Sequence, residues 1–212
     1  MTLVVLCAGG HASVVIEALL STGTRPDFAT DQSPSLVGKL IQGIPIKGPD
    51  AAVLEMPVET TELVNAMGNR ATRSDSGLSR RRDLFCRFDK LGFRFPVIAH
   101  RSAIVASTVQ AGDGCQVMAG AVIQPRAQIG RNVLINTRAV VEHDCHVGDH
   151  SHIAPGAVLC GGVLVGESVH VGAGAIVLGG VRLGAGSVVA AGTTVTRDIE
   201  GGCFSGRQDG IV

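Results

Sequence analysis

Between Asn136 and His152 the chain reads NTRAVVEHDCHVGDHSH and carries four of its seven histidines, His143, His146, His150 and His152. An imidazole titrates near neutral pH and can take up and return a proton. Asp144 follows His143 directly. Its carboxylate can accept a hydrogen bond from one ring nitrogen and make the other more basic, the role an Asp plays in hydrolase triads. Neighbours on a flat strand point to opposite faces, so this pairing needs a sharp backbone turn. Histidines at this density can also ligate zinc, or simply decorate a surface. Asn136 either orients a ligand or belongs to an inward-facing asparagine ladder.

A repeat positions these residues. From Pro96 to Arg197 the sequence divides into hexads without a slip. The fourth slot is aliphatic throughout, from Ala99, Val105 and Ala111 to Val189 and Val195, and the second holds Val, Ala, Cys, Ser or Thr. No α-helix has a strict period of six. A solenoid with three short flat faces does, so that residues eighteen apart lie one coil above another. The fourth slot then fills a prism interior, with glycine or small polar residues at the corners. Gly161 falls one coil above His143 and leaves an N–H open to a ligand. His152 sits on a different face and is expected to stack on His170. Ala173 and Ala191 also lie one coil apart. Cys145 takes an inward small slot and is not read as a nucleophile.

Residues 1–95 differ in character. TLVVLC reads as a buried strand, AGG as a turn and HASVVIEALLSTG as a helix ended by glycine. PDFATD, closing on Asp31, and ELVNAMGN read as further strands. RRRDLFCRFDKLGF reads as an amphipathic helix with Arg80–Arg82 on its solvated face, and SDSGLS as a loop. Strand, glycine turn, helix, strand and acid make a small Rossmann-like unit. The full G-x-G-x-x-G fingerprint is absent, which argues against a dinucleotide. Gly9, Gly10 and His11 open a helix, whose N-terminal amides suit phosphate.

Composition excludes several classes. Lys plus Arg and Asp plus Glu both number 18, so no net charge draws the chain to nucleic acid. No apolar run spans a bilayer, the N-terminus lacks a basic leader, and six scattered cysteines without a C-x-x-C pair suit a reducing cytoplasm. Trp and Tyr are absent among 212 residues with 29 glycines, so the core must be aliphatic and the architecture repetitive.

AGGHASVVIEAL, AMGN, INTRAVVEHDC and the hexads together resemble the sugar O-acyltransferase family of sialic acid O-acetyltransferases and nucleotide-linked amino-sugar N-acetyltransferases. The likeness covers nearly the whole chain. It is greatest to the N-acetyltransferases of nucleotide-linked 4-amino-4,6-dideoxy sugars, such as UDP-bacillosamine precursors and GDP-perosamine. The resemblance implies residues 1–95 as a nucleotide-sugar domain and 96–212 as a left-handed parallel β-helix, a homotrimer with sites between chains, and acetyl-CoA as donor. It also implies His143 as base with Asp144 as helper, and His152, Gly161, Ala173 and Ala191 at acetyl-CoA. Gly9, Gly10, His11, Asp31, Gln32 and Gly68 would hold the nucleotide sugar, with Asn136 near the sugar or base, and no metal is implied. Relatives carry a second acid where this chain has Gln32, and a G-x-P-A-K/R ending where it reads CFSGRQDGIV; Gly206 and Arg207 match part of that ending, but the proline is missing and the segment is not carried over as a binding element. The alternatives are O-acetylation of a sialic-acid-like sugar, or zinc held by three histidines across a trimer interface as in γ-class carbonic anhydrases.

Overall fold

A computed structural model describes residues 1–69, 71–72, 75–202 and 204–205. Cys203, Gly206, Arg207 and part of the SDSGLS segment lie outside the described residues. The chain begins with β1 (Thr2–Leu6), α1 (Gly10–Ser21) and β2 (Phe28–Thr30). A small hairpin of β3 (Leu40–Ile41) and β4 (Ile44–Pro45) follows, then β5 (Thr61–Asn65) and α2 (Ser79–Asp89). The parallel sheet has the order β2-β1-β5, which puts β1 at its centre. Val4, Val5 and Leu6 are accordingly buried on both faces. Helix α1 buries Ala12, Val15, Ile16 and Leu19, a one-sided stripe at helical spacing. Its end is closed by Gly23 at φ 81°, with Thr22 and Thr24 amides returning to the Leu19 carbonyl. The hairpin was not legible in the sequence; its strands are only two residues long.

The rest is a parallel β-solenoid of about five turns. Its strands are two-residue pieces on the third and fourth slots of successive hexads, from Ile98–Ala99 to Thr194–Val195. Each piece up to Ile176–Val177 pairs in parallel with the piece eighteen residues on, as Val122 with Val140 and His152 with His170. The first slot turns each corner in the left-handed region, from Gly114 at φ 70° to Gly192 at φ 67°. Glycine takes that conformation freely. Arg126, Asn132, Arg138, Asp144, His150 and Ser168 adopt it as well, at about 1 kcal/mol each or less for Asn and Asp.

Fourth-slot side chains from Val117 to Val195 form one continuous buried column, with Cys115, Ala121, Cys145 and Val163 beside them from the second slot. The expectation fails at the first coil. Ala99, Val105 and Ala111 are exposed, as is Val97, because no coil lies beneath them to close the prism. The third slot points outward, and on one face it is covered. Ile98, Gln116, Leu134, His152 and Val188 are buried there, whereas Ile104, Gln110, Gln128 and His146 on the other faces are exposed. The N-terminal unit is what covers them: Ile98, Met118 and Leu134 share a core with Val15, Ile16 and Val64. This junction buries polar groups. Among the described residues no helix is long and apolar enough to cross a membrane.

Helix α2 corrects the reading of Arg80–Arg82. Arg80 is exposed, but Arg81 is 1% exposed and shares the inward stripe with Leu84, Phe85 and Phe88. Its Nη1 donates to the carbonyls of Asn65 (2.8 Å) and Met67 (3.0 Å). Burial lowers its pKa to about 10. The three-arginine run looked solvated, yet Arg81 holds the first place of an i, i+3, i+4, i+7 pattern.

Candidate active site

His143 and Asp144 form the turn at one corner of the solenoid. The sharp turn that their pairing required is the left-handed conformation of Asp144, φ 61°. His143 Nδ1 lies 2.7 Å from Asp144 Oδ2. That contact assigns the proton to Nδ1 and leaves the Nε2 lone pair free to accept another. Asp144 is also gripped by Arg126 from the coil below, with Nε to Oδ1 at 2.6 Å and Nη2 to Oδ2 at 2.8 Å. Arg126, and then His143, hold the Asp144 carboxyl well below the usual range. Gly161 lies above. A Cβ built on it would meet His143 Cε1 and Nε2 at 2.7 Å, so the ring occupies the space that a glycine leaves.

A second set of groups gathers at the junction of the N-terminal unit and the solenoid. A groove of about 560 Å³ is lined by Asn69, His152, His170, Pro155, Ala173 and Ala191, among others. Ala173 and Ala191 thus open on the same groove as His152. Asn69, which the sequence reading passed over in favour of its neighbour Gly68, organises the two histidines. Its Oδ1 accepts from His152 Nδ1 (2.7 Å) and its Nδ2 donates to His170 Nδ1 (3.1 Å). Asn136 Nδ2 donates to His152 Nε2 at 3.0 Å, so Asn136 engages an imidazole and not an asparagine ladder. The expected stack of His152 on His170 is an edge-on contact, with centroids 5.0 Å apart and planes at 70°. The asparagine between them sets the two ring planes separately. Burial pushes the His170 pKa to about 4 and that of His152 well below its ordinary value, helped by the charges of His170, Arg81 and His11. Both rings are neutral at pH 7. With both nitrogens of His152 hydrogen-bonded, this ring has no lone pair free for an ion. Among the described residues no group of three or more His, Cys, Asp or Glu is arranged to hold a metal.

His11 borders the same junction. Its pKa is lowered to about 4, chiefly by burial and then by Arg81, against the opposing pull of the Gln116 side chain. Gly68 backs onto it, since a Cβ there would sit 3.3 Å from His11 Cβ. Gly9 and Gly10 are exposed at the start of α1, with open space beside them. Asp31 and Gln32 are engaged by the protein itself. Asp31 accepts from the amides of Ala8 (3.0 Å) and Ser33 (2.8 Å), which ties the glycine turn to the end of β2. Gln32 Nε2 donates to Asp50 Oδ2 at 3.0 Å. Asp50 is a buried acid that also accepts from Thr30. The sequence reading missed it because it lies eighteen residues further along, with no motif around it.

Within one chain the structure therefore makes two groups. His143, Asp144 and Gly161 share one corner, while His11, Gly68, Asn136, His152, Ala173 and Ala191 meet at or beside the groove. One solenoid face separates them. Its outward third slots are aliphatic at Ile104, Val122, Val140, Val158 and Ile176, with Thr194 at the last, and Ile104 is 65% exposed. Three of the thiols are poor nucleophiles: burial pushes Cys7 and Cys115 up to about 12 and raises Cys145.

The sequence matches the PglD N-terminal domain over residues 2–76 and the bacterial transferase hexapeptide repeat over 126–161 and 162–197. It is similar to perosamine N-acetyltransferase from Caulobacter crescentus, crystallised as a histidine-to-asparagine mutant with CoA and GDP-perosamine. That structure shares 34% identity over 96% of this chain and 92% of the other, with a TM-score of 0.86. It is also similar to the acetyltransferase domain of PglB from Neisseria gonorrhoeae FA1090 in complex with acetyl coenzyme A, at 32% identity over 96% and 94%, TM-score 0.86. No curated protein matches the sequence.

Proposed function

Because the chain belongs to the hexapeptide-repeat acetyltransferases that carry a PglD-type N-terminal domain, we propose that it acetylates the 4-amino group of a nucleotide-linked 4-amino-4,6-dideoxy sugar. Acetyl-CoA is the donor. The observation that carries the mechanism is the His143–Asp144 pair, with its free Nε2 against Gly161. The acceptor nitrogen attacks the thioester carbon directly. Its proton passes to His143 Nε2, the carbon–sulfur bond breaks, and the imidazolium returns the proton to the departing thiolate. Asp144 stabilises that imidazolium, and the Gly161 N–H is assigned to the oxyanion. No acyl-enzyme is needed, since the amine attacks the thioester itself.

The division of labour follows the chain. Residues 1–95 hold the nucleotide-linked sugar through Gly9, Gly10, His11 and Gly68. Asp31 and Gln32 act by shaping that turn and its neighbouring strand. His152, Ala173 and Ala191 border acetyl-CoA along a groove of small residues, which admits a narrow pantetheine arm. Asn136 orients His152. A homotrimer makes the two groups one site. If the aliphatic face pairs around a threefold axis, the His143 corner of one chain approaches the groove of the next. Five described cysteines are all free thiols, which fits a cytoplasmic enzyme.

The test is CoA release against UDP-, GDP- and dTDP-linked 4-amino-4,6-dideoxy sugars, the matching 4-hydroxy sugars, and free sialic acid. Turnover on one amino sugar alone supports the reading and names the nucleotide. Turnover on hydroxyl acceptors only would replace it with O-acetylation. Stoichiometric zinc without CoA release would overturn both.

A further inference from the structure

We propose that Arg126 is a positioning residue for the His143–Asp144 pair, locking the carboxylate that orients the ring. This rests on the reading of His143 as the base. The geometry is specific. Arg126 and Asp144 both occupy the first slot of a hexad, eighteen residues apart, in the left-handed conformation (φ 64° and 61°). Their side chains therefore leave the same corner one above the other. The Arg126 amide is pinned by Thr108 Oγ1 at 3.0 Å. Its fork then takes both Asp144 oxygens, and Oδ2 receives Arg126 Nη2 at 2.8 Å as well as His143 Nδ1 at 2.7 Å.

An exposed ion pair adds little to stability, and both partners here are exposed, with 64% and 45% of the side-chain surface accessible. Its consequence is orientation. A carboxylate with one partner can rotate, but one held by a planar bidentate fork cannot. The His143 ring is thereby held with Nε2 towards Gly161. Among the described residues Arg126 is the only cation that hydrogen-bonds to the pair. The pair stays ionised throughout, since each partner's pKa is shifted to favour its charged form.

The experiment compares wild type with R126Q and R126K by two readouts, kcat beside KM for both substrates, and NMR of the His143 ring in the intact enzyme, which reports its rotamer and its Nδ1–H bond to Asp144. In R126Q plateau kcat falls by roughly tenfold through lost orientation while KM holds, and the ring signals average between rotamers. R126K does not restore the plateau, because an ammonium lacks the fork. A wild-type plateau in R126Q, or a single ring rotamer with its Nδ1–H bond intact, would overturn the proposal. The ring signals do not depend on catalysis, so they remain decisive even if His143→Ala retains activity and the base assignment itself fails.

Discussion

Gly161→Ala is the sharpest single perturbation of this site. The added methyl would stand 2.7 Å from His143 Cε1 and Nε2. Ordinary contact begins near 3.4 Å, so the ring must retreat by roughly 0.7 Å or more. The backbone has no reason to object, since Gly161 is not among the glycines in the left-handed region, and alanine there restricts the unfolded chain by about 0.4–1 kcal/mol in favour of folding. The cost falls on the 2.7 Å bond from His143 to Asp144 and on the aim of Nε2. A displacement near 1 Å at a reacting group costs on the order of 100-fold in rate. The assay is thiol release with saturating acetyl-CoA, beside a thermal melt of the same sample. The account predicts kcat down by about that factor with the melt unchanged or slightly raised. Wild-type kcat would show that the ring's position above Asp144 does not govern turnover. A collapsed melt would show that the corner, and not the base, needs the glycine.

Two further outcomes follow from the junction. His11 and His170 titrate near 4 when folded and near 6.5 when unfolded. The unfolded chain thus binds more protons between those values, and stability is complete above pH 6.5 and drains as the pH falls towards 4. Each ring contributes at most ~3 kcal/mol; urea unfolding at pH 7, 6 and 5 should show the decline, and a flat profile would contradict the buried, neutral assignment. Arg81→Lys keeps the buried charge but removes the Nη1 that donates to both the Asn65 and Met67 carbonyls. A loss of about 1–3 kcal/mol is expected, read by calorimetry, and an unchanged Tm would mean that those two bonds are dispensable.

The solenoid was legible because a strict hexad repeat has one structural solution, and the fourth-slot column from Val117 to Val195 is its direct expression. The pairing of His143 with Asp144 was legible because adjacency plus a corner brings the two together. Arg126 was available to the same logic, being one period before Asp144, but the reading looked upward to Gly161 and not downward. Asn69 and Arg81 were harder. Each acts across the junction between the N-terminal unit and the solenoid, and a sequence period within one part carries no information about what the other presses against it. Helix α2 did hold a clue, since Arg81 keeps step with Leu84, Phe85 and Phe88. The mutual orientation of His152 and His170 was also beyond the period: register put them side by side, and the hydrogen bonds of Asn69 and Asn136 hold them edge to face.

The most direct test of the central claim is the single-turnover rate of His143→Ala on the nucleotide-linked amino sugar that the acceptor panel selects, with CoA affinity measured on the same protein. The ring is exposed, with 57% of its side-chain surface accessible, so its removal leaves the core intact. The account predicts a rate lower by about 100- to 10,000-fold with CoA binding unchanged. A rate within a few fold of wild type would contradict His143 as the base.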